Sequence, residues 1–488
     1  MTVTFPAASY YIASSRLRPG MDGGYTVATL RRAAQFEKYA GITPVLLTFD
    51  FWPDYDQVVD EFRALGLMTD TTVVRNLLGD VRRSPDILRD GAVPLSADPH
   101  QIAAIRAHEQ TPDATRVELD SRGTPWRLLS TDAHGAPEHT DYFDDHGQLL
   151  LRVPYISGRA DWHRAPVVMT VFDTHGAPSG TLTGFDALYR AWLAAVFAAD
   201  NQTLLVCESR QVGELLAGWP MPHLRIVHTV HSAHTAAPYE WDSPVDGLWA
   251  SWFDTVPHYD AVLWLTDRQK RAVERRFGVS ERNRVVPHAV ELEPLTGERD
   301  PDLIVTIGRL SPLKQFDHTI RAFDQVRDRH PKARLELFGD GPDEPRLEAL
   351  IADLGLTDRA MLQGHRSDAA DVLHRASAIV LTSRYEGHPL VLLEALARGC
   401  PVIAYDINYG PDETVIDTVT GYLVAPDSID GVADALDLIL SDPNRVGALS
   451  QAAREWTAEH SPERSMLLTA AVFNDVLTGT IGNGAARS

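Results

Sequence analysis

One stretch limits what this chain can fold into more than any other: Tyr385-Glu386-Gly387-His388-Pro389-Leu390-Val391-Leu392-Leu393-Glu394-Ala395-Leu396-Ala397-Arg398-Gly399-Cys400-Pro401. It lies between two short apolar runs, Ala378-Ile379-Val380-Leu381-Thr382 and Val402-Ile403-Ala404-Tyr405, whose length and β-branched content fit buried strands. Pro389 suits the first helical position, where a missing N–H costs nothing. Gly399 suits the left-handed residue that ends a helix. The unit is strand–loop–helix–strand, the building block of an open α/β sheet. There the helix N-terminus offers unpaired amides and a partial positive charge at the strand's carboxyl end, which is where phosphate binds. Glu386 precedes the helix and Glu394 lies inside it, with seven residues between them, and neither position suits a random surface pair.

At 488 residues the chain is too long for one ordinary domain. Its net charge of −22, with no long Lys/Arg run to offset it, argues against a nucleic-acid surface. Cys207 and Cys400 are the only cysteines, both in apolar surroundings, so a disulfide framework is not expected and a reducing cytoplasm fits. Neither a signal-peptide pattern nor a membrane-length apolar run is visible, and the expectation is a cytoplasmic protein, at most peripheral to a membrane.

Residues 9–14 read as a first strand, followed by a loop with Gly20, Gly23 and Gly24, a helical pattern from Thr26 to Ala40, and the strand Val45–Phe49. The Gly23-Gly24 pair lets backbone approach an anion closely; the alternative is a plain turn. Asp54-Tyr55-Asp56 matches a short divalent-metal pattern, but it opens an exposed helix and no metal site is expected from it. Residues 70 to about 165 change character. Runs such as Trp126-Arg-Leu-Leu-Ser130 alternate with turns such as Asp132-Ala-His-Gly135 and Asp144-Asp-His-Gly147, a meander of antiparallel hairpins inserted in the first domain. His134, His139 and His146 read as turn and surface residues. Alternating strands and helices are expected to resume near Val167–Val171. Leu224–His228 is a strand that runs into Thr229-Val-His231-Ser232-Ala-His234, placing three histidines toward the crevice. His231 is the first candidate for hydrogen bonding to a substrate; a metal site or a buried, satisfied histidine are the alternatives. Val285-Val-Pro287-His288-Ala289 closes the first domain, and Gly297 to Pro301 reads as a linker.

The second domain opens with Leu303–Ile307, Gly308-Arg309 and, a few residues on, Lys314. Two cations at one crevice are what a departing diphosphate needs. Gly339-Asp340-Gly341-Pro342 is a tight turn, Met361-Leu-Gln-Gly364-His365 another strand end, and the helix from Ser465 to Leu477 closes the fold. The expected division is 1–296 for the first domain, 297–460 for the second, and 461–488 for a helix packing back on the first domain, followed by a tail.

The order Gly308-Arg309…Lys314, Gly339-Asp-Gly-Pro342, Gly364 and Glu386-x7-Glu394 resembles the retaining family-4 glycosyltransferases of the GT-B fold, over residues 303–460. Gly23-Gly24-Tyr25, the β-rich insertion, His231-Ser232-Ala233-His234 and Asp406-Ile407-Asn408-Tyr409-Gly410-Pro411 narrow this. They are similar to the poly(glycerol/ribitol-phosphate) glycosyltransferases of wall teichoic acid, and equally to the subunit that adds N-acetylglucosamine to serine-rich adhesins. The resemblance implies an α/β fold of two facing Rossmann-like domains. It implies transfer of glucose or N-acetylglucosamine from a UDP-sugar, without metal or cofactor, to a polyol-phosphate polymer; Ser/Thr-rich protein is the alternative acceptor. By resemblance Arg309 and Lys314 bind the donor diphosphate, Glu386 the sugar hydroxyls and Glu394 the ribose. His231 joins Glu386, Arg309 and Lys314 as catalytic. Gly23, Gly24, Gly308, Gly339, His365, Gly387, His388, Pro389 and Leu390 line the donor site. Pro389 removes one amide that many relatives use on phosphate. The insertion is associated with oligomerisation or acceptor binding. The rival readings are a non-catalytic acceptor-binding subunit, which would be expected to lose this set of charges, and a phosphorylase-like enzyme.

Overall fold

The computed structural model describes residues 2–21, 23–95, 116–132, 134–156 and 162–481. Two parallel sheets carry the fold. The first has seven strands in the spatial order Asn283–Val285, Ala261–Trp264, Leu224–Val230, Thr203–Cys207, Ser9–Ser14, Val45–Thr48 and Val73–Asn76. Runs such as Thr203-Leu-Leu-Val-Cys207 are apolar throughout because both faces are covered, and Leu204, Leu205 and Cys207 are fully buried. Chain order reverses between Ser9–Ser14 and Thr203–Cys207. Connections leave these two strands in opposite directions, so a crevice opens at their carboxyl ends.

The second sheet has six strands in the order Ala360–Gly364, Arg334–Phe338, Asp300–Ile307, Ala376–Leu381, Val402–Tyr405 and Gly421–Val424, again all parallel. Its reversal falls between Asp300–Ile307 and Ala376–Leu381, and puts Gly308-Arg309 and the Glu386 loop at one crevice. Asp300 and Pro301, expected in the linker, are the first residues of this sheet's opening strand.

The insertion is a seven-stranded antiparallel sheet in the order Val93–Pro94, Pro178–Thr183, Val168–Phe172, Leu149–Pro154, Pro137–Phe143, Pro125–Thr131 and Arg116–Leu119. It departs from expectation at both ends. Val73–Asn76 is the edge strand of the parallel sheet, and Val168–Phe172 pairs antiparallel inside the insertion. An apolar five-residue run does not reveal its pairing direction, which is why Val168–Phe172 reads as a returning parallel strand. The hairpin turns share one device. In Asp132-Ala-His-Gly135 and Asp144-Asp-His-Gly147 the aspartate Oδ1 accepts two backbone N–H groups, from residues two and four further on. His134 and His146 sit in these turns, but His139 is buried within the strand Pro137–Phe143.

Helix Pro462–Thr478 crosses from the second domain to the first. Its Met466, Ala470, Phe473 and Val476 pack among Val3, Tyr10 and Phe36, and Ser465 Oγ donates to the Pro287 carbonyl at 2.8 Å. Burial of each large side chain contributes about 1.5–3 kcal/mol, so this helix ties the two domains together. The tail at 482–488 lies outside the described residues. Among the described residues no helix is long and apolar enough to cross a membrane.

Candidate functional site

The two strand-order reversals face each other, and the site is built from the loops that leave them. On the C-terminal side, Leu310 N donates to the Asp340 carbonyl at 2.7 Å, laying one loop on the other. A Cβ at Gly339 would sit 1.8 Å from the Gly308 carbonyl oxygen, and one at Gly341 2.2 Å from that of Leu310. Both glycines have positive φ, so no side chain fits this crossing. Arg309, between the crossed strands of the loop, is exposed, as is His365 at the next strand end; neither has a side-chain partner among the described residues. Lys314 Nζ donates to Glu386 Oε1, and both groups are largely buried. The Glu386 backbone is held on both sides, its N–H by the Asn408 carbonyl (3.2 Å) and its carbonyl by the Tyr409 N–H (3.0 Å).

The next residue meets the other domain. A Cβ on Gly387 would stand 2.1 Å from the His231 carbonyl oxygen and 2.6 Å from its carbon. Only glycine permits this backbone-to-backbone approach between the domains. The His231 ring begins a column that spans both. Tyr25 meets it edge-on at 5.3 Å, His288 lies over it at 5.4 Å, and His388 lies over His288 at 5.9 Å. His388 Nε2 also meets Thr414 Oγ1 at 3.1 Å. Burial, with a smaller push from His460, lowers the His388 imidazole to about 4, and burial with His231 and His388 nearby lowers His288 well below its ordinary value. Both are therefore neutral at pH 7.

His231 Nε2 is bonded to Glu208, which follows the strand Thr203–Cys207 at the first domain's reversal. Glu208 also pairs with Arg32 Nε at 2.7 Å and is fully buried. Burial alone would raise this carboxyl, but Arg32 and His231 outweigh it and hold it at about 2. The neighbouring Arg31 reaches the second domain, where its guanidinium pairs with Glu394 at 2.7 Å. Both arginines come from the helix Gly24–Gln35, whose Gly24 start faces Leu390 at the start of the helix Leu390–Ala397. Two helix N-termini thus converge on the cleft. Further contacts close it: Glu413 accepts the backbone N–H groups of Asp267 and Arg268, and Asn408 Nδ2 donates to the Tyr239 carbonyl at 2.9 Å.

Several expectations change on this geometry. Of the three histidines, only His231 faces the cleft. His228 lies inside the strand Leu224–Val230 against Trp252 and Tyr259, and His234 is buried against Tyr409. Burial lowers the two imidazoles to about 3 and about 4. Pro389 is the N-cap residue, with ψ 109°, and not the first helical residue. Gly399 does take the left-handed conformation after the helix, φ 64°. Glu394 faces an arginine of the other domain and not its own helix backbone. Asp54 accepts from Ser121 N–H and Oγ. Among the described residues no group of three or more His, Cys, Asp or Glu side chains is placed to hold a metal ion. Sequence reading missed Glu208, Arg31, Arg32 and His288 as site residues. Glu208 and His288 both follow parallel strands closely, so the strand-end rule that found His231 reaches them too.

Chemically, the cleft combines two cations and two carboxylates with one helix N-terminus from each domain and a histidine column that spans both. Such a set binds an anion next to a hydroxyl-bearing ligand. The chain is similar to several known proteins. Residues 292–456 match the family described as Glycosyl transferases group 1. An exopolysaccharide phosphotransferase of Streptomyces coelicolor is 38% identical over 215 residues, 43% of this chain and 22% of that protein. The poly(glycerol-phosphate) alpha-glucosyltransferase of Bacillus subtilis is 28% identical over 221 residues, 44% of this chain and 33% of that protein. A poly(ribitol-phosphate) alpha-N-acetylglucosaminyltransferase of Staphylococcus aureus is 26% identical over 209 residues, 43% of this chain and 42% of that protein. The matched part spans less than half the length of each of these relatives. Solved structures cover nearly the whole chain. TarM of S. aureus, in complex with fondaparinux, alpha-GlcNAc-glycerol and UDP, aligns with a TM-score of 0.71 at 19% identity over 96% of this chain and all of that one. The pneumococcal O-GlcNAc transferase GtfA, in complex with UDP and GlcNAc, aligns at 0.66 and 17% identity over 98% and 99%. The fold is GT-B.

Proposed function

We propose that this protein is a retaining glycosyltransferase of family 4 that moves glucose or N-acetylglucosamine from a UDP-sugar to a hydroxyl of a polyol-phosphate, teichoic-acid-like polymer. The observation that carries this reading is the Lys314–Glu386 pair at the second domain's strand reversal, with Arg309 exposed at the end of the strand Asp300–Ile307 and the His231 backbone against Gly387. In this reading the donor diphosphate takes Lys314 from Glu386 and also meets Arg309 and the amides at Gly24 and Leu390. Glu386 then accepts hydroxyls of the sugar, and Glu394, exchanging Arg31, those of the ribose. The bond from the anomeric carbon to the diphosphate oxygen breaks, and the acceptor hydroxyl attacks from the same face. Its proton passes to the departing oxygen. The fixed cations meet charge that grows in the transition state, so no metal ion is invoked. No carboxylate acts as a covalent nucleophile. The acceptor approaches from the first domain, with the insertion as its outer wall or as a contact between copies. The buried thiols of Cys207 and Cys400 support a reducing, cytoplasmic setting.

A second reading, O-glycosylation of Ser/Thr-rich protein, draws support from one comparison. The GtfA subunit of Streptococcus pneumoniae matches 265 residues, 52% of this chain, at 24% identity over 51% of that protein. UDP release is the deciding assay, with UDP-glucose and UDP-N-acetylglucosamine as donors and polyol-phosphate polymers and Ser/Thr-rich peptides as acceptors. The proposal expects release stimulated by the polymer and lost in Glu386→Ala. Stimulation by peptide alone would move the assignment to the second reading, and no turnover of either donor would end both.

A further inference from the structure

The His231 ring has two nitrogens, and the protein has committed one of them. Nε2 is bonded to Glu208, whose carboxylate is fully buried and also ion-paired with Arg32 at 2.7 Å. A carboxylate that faces a guanidinium is an acceptor only, so Nε2 must carry the proton. Nδ1 has no partner among the described residues, and the side chain keeps 13% of its surface exposed. The other groups against the ring, Tyr25 and His288, meet it through ring contacts and bring no charge of their own at pH 7. Arg32, Glu208 and His231 come from a helix, a strand end and the adjacent strand end of the first domain, so all three members of the relay belong to that domain.

We propose that Glu208, held by Arg32, is a positioning residue that fixes His231 in the Nε2–H tautomer and leaves Nδ1 as a hydrogen-bond acceptor aimed at a donor-sugar hydroxyl. The inference deepens the function proposed above and rests on it for the identity of the ligand. Glu208→Gln tests it with little change in shape. A glutamine directs its carbonyl oxygen to Arg32 and its NH2 to Nε2, which turns the imidazole over to the Nδ1–H form and sets a donor where the sugar hydroxyl donates.

Two measurements on the full-length chain decide the matter. In nitrogen–proton correlation spectra of histidine-labelled protein, the His231 signals, identified by their loss in His231→Ala, carry the proton on Nε2 in the wild type and on Nδ1 in Glu208→Gln. In steady-state turnover of UDP-glucose or UDP-N-acetylglucosamine, Glu208→Gln lowers kcat by about tenfold to a hundredfold with KM little changed. Placed on His231→Ala, the same substitution lowers kcat by less than about twofold further. An Nδ1–H wild type, an unchanged kcat in Glu208→Gln, or an equal loss in both backgrounds would overturn the inference. If the wild type turns over neither donor, the functional proposal falls, while the tautomer spectra still decide the role of Glu208.

Discussion

Gly387→Ala probes the join between the two halves of the site. A Cβ at this position lies 2.1 Å from the His231 carbonyl oxygen, 2.6 Å from its carbon and 3.0 Å from Ser232 N, and all three are backbone atoms that cannot rotate away. Side chains essentially never approach other atoms within 3.0 Å, so the Glu386 loop and the end of the strand Leu224–Val230 must part by about 1 Å. The alanine itself is not strained, because Gly387 is not in the left-handed region. Overpacking of this kind costs about 1–3 kcal/mol of stability. The larger effect falls on geometry: a 1 Å misplacement at a reacting centre costs on the order of 10²-fold in rate. Gly447→Ala is the control. It lies mid-helix with nothing within 4 Å of the new Cβ, and should raise stability by about 0.5–1 kcal/mol with wild-type turnover. The assay is UDP release at saturating UDP-sugar, paired with urea denaturation. If Gly387→Ala keeps wild-type kcat and stability, the two loops are not held in contact and the reasoning fails.

Other outcomes follow from the same geometry. Arg31→Met removes a part-exposed ion pair with Glu394 and should cost no more than about 1 kcal/mol in urea denaturation; a loss several times larger would show that the pair organises the interface. Phe473→Ala should cost about 3–5 kcal/mol and expose the first domain to protease, because this ring fills the apolar contact between the terminal helix and Tyr10 and Phe36. Acid should destabilise the protein through His388. Its folded value of about 4 lies below the ordinary 6.5, so the unfolded chain takes up the proton first. The stabilising effect of keeping it neutral is complete above pH 6.5 and is lost as pH falls toward 4, by roughly 1 kcal/mol per pH unit; His388→Gln should remove this share of the acid slope and leave the shares of His228, His234 and His288. Burial raises the thiols of Cys207 and Cys400, so neither should react with a thiol reagent in the native state, and both should react in denaturant.

Much of the cleft's C-terminal side was legible because it is written locally. Arg309, Lys314 and Glu386 each follow a strand within a few residues, and the strands themselves are short, continuous apolar runs. The alternation of strand and helix gives the parallel sheet, and its reversal gives the crevice. What escaped depends on pairings between distant residues. Arg31 and Arg32 sit in an amphipathic helix where a charged pair reads as solvated surface, yet one meets Glu394, 363 residues away, and the other the buried Glu208. Nothing in the Tyr385–Gly387 run announces that Gly387 is needed for contact with His231. The extent of the insertion was misread for a related reason: Val168–Phe172 carries the same buried pattern in either strand direction.

Titration calorimetry of UDP into the wild type, Lys314→Met and Glu394→Gln most directly tests whether the Lys314–Glu386–Glu394 cluster is a nucleotide-sugar site. The account predicts one binding site in the wild type, affinity reduced at least tenfold by Lys314→Met as the diphosphate loses its cation, and a smaller loss in Glu394→Gln. Absence of UDP binding by the wild type, or equal affinity in all three proteins, would contradict it.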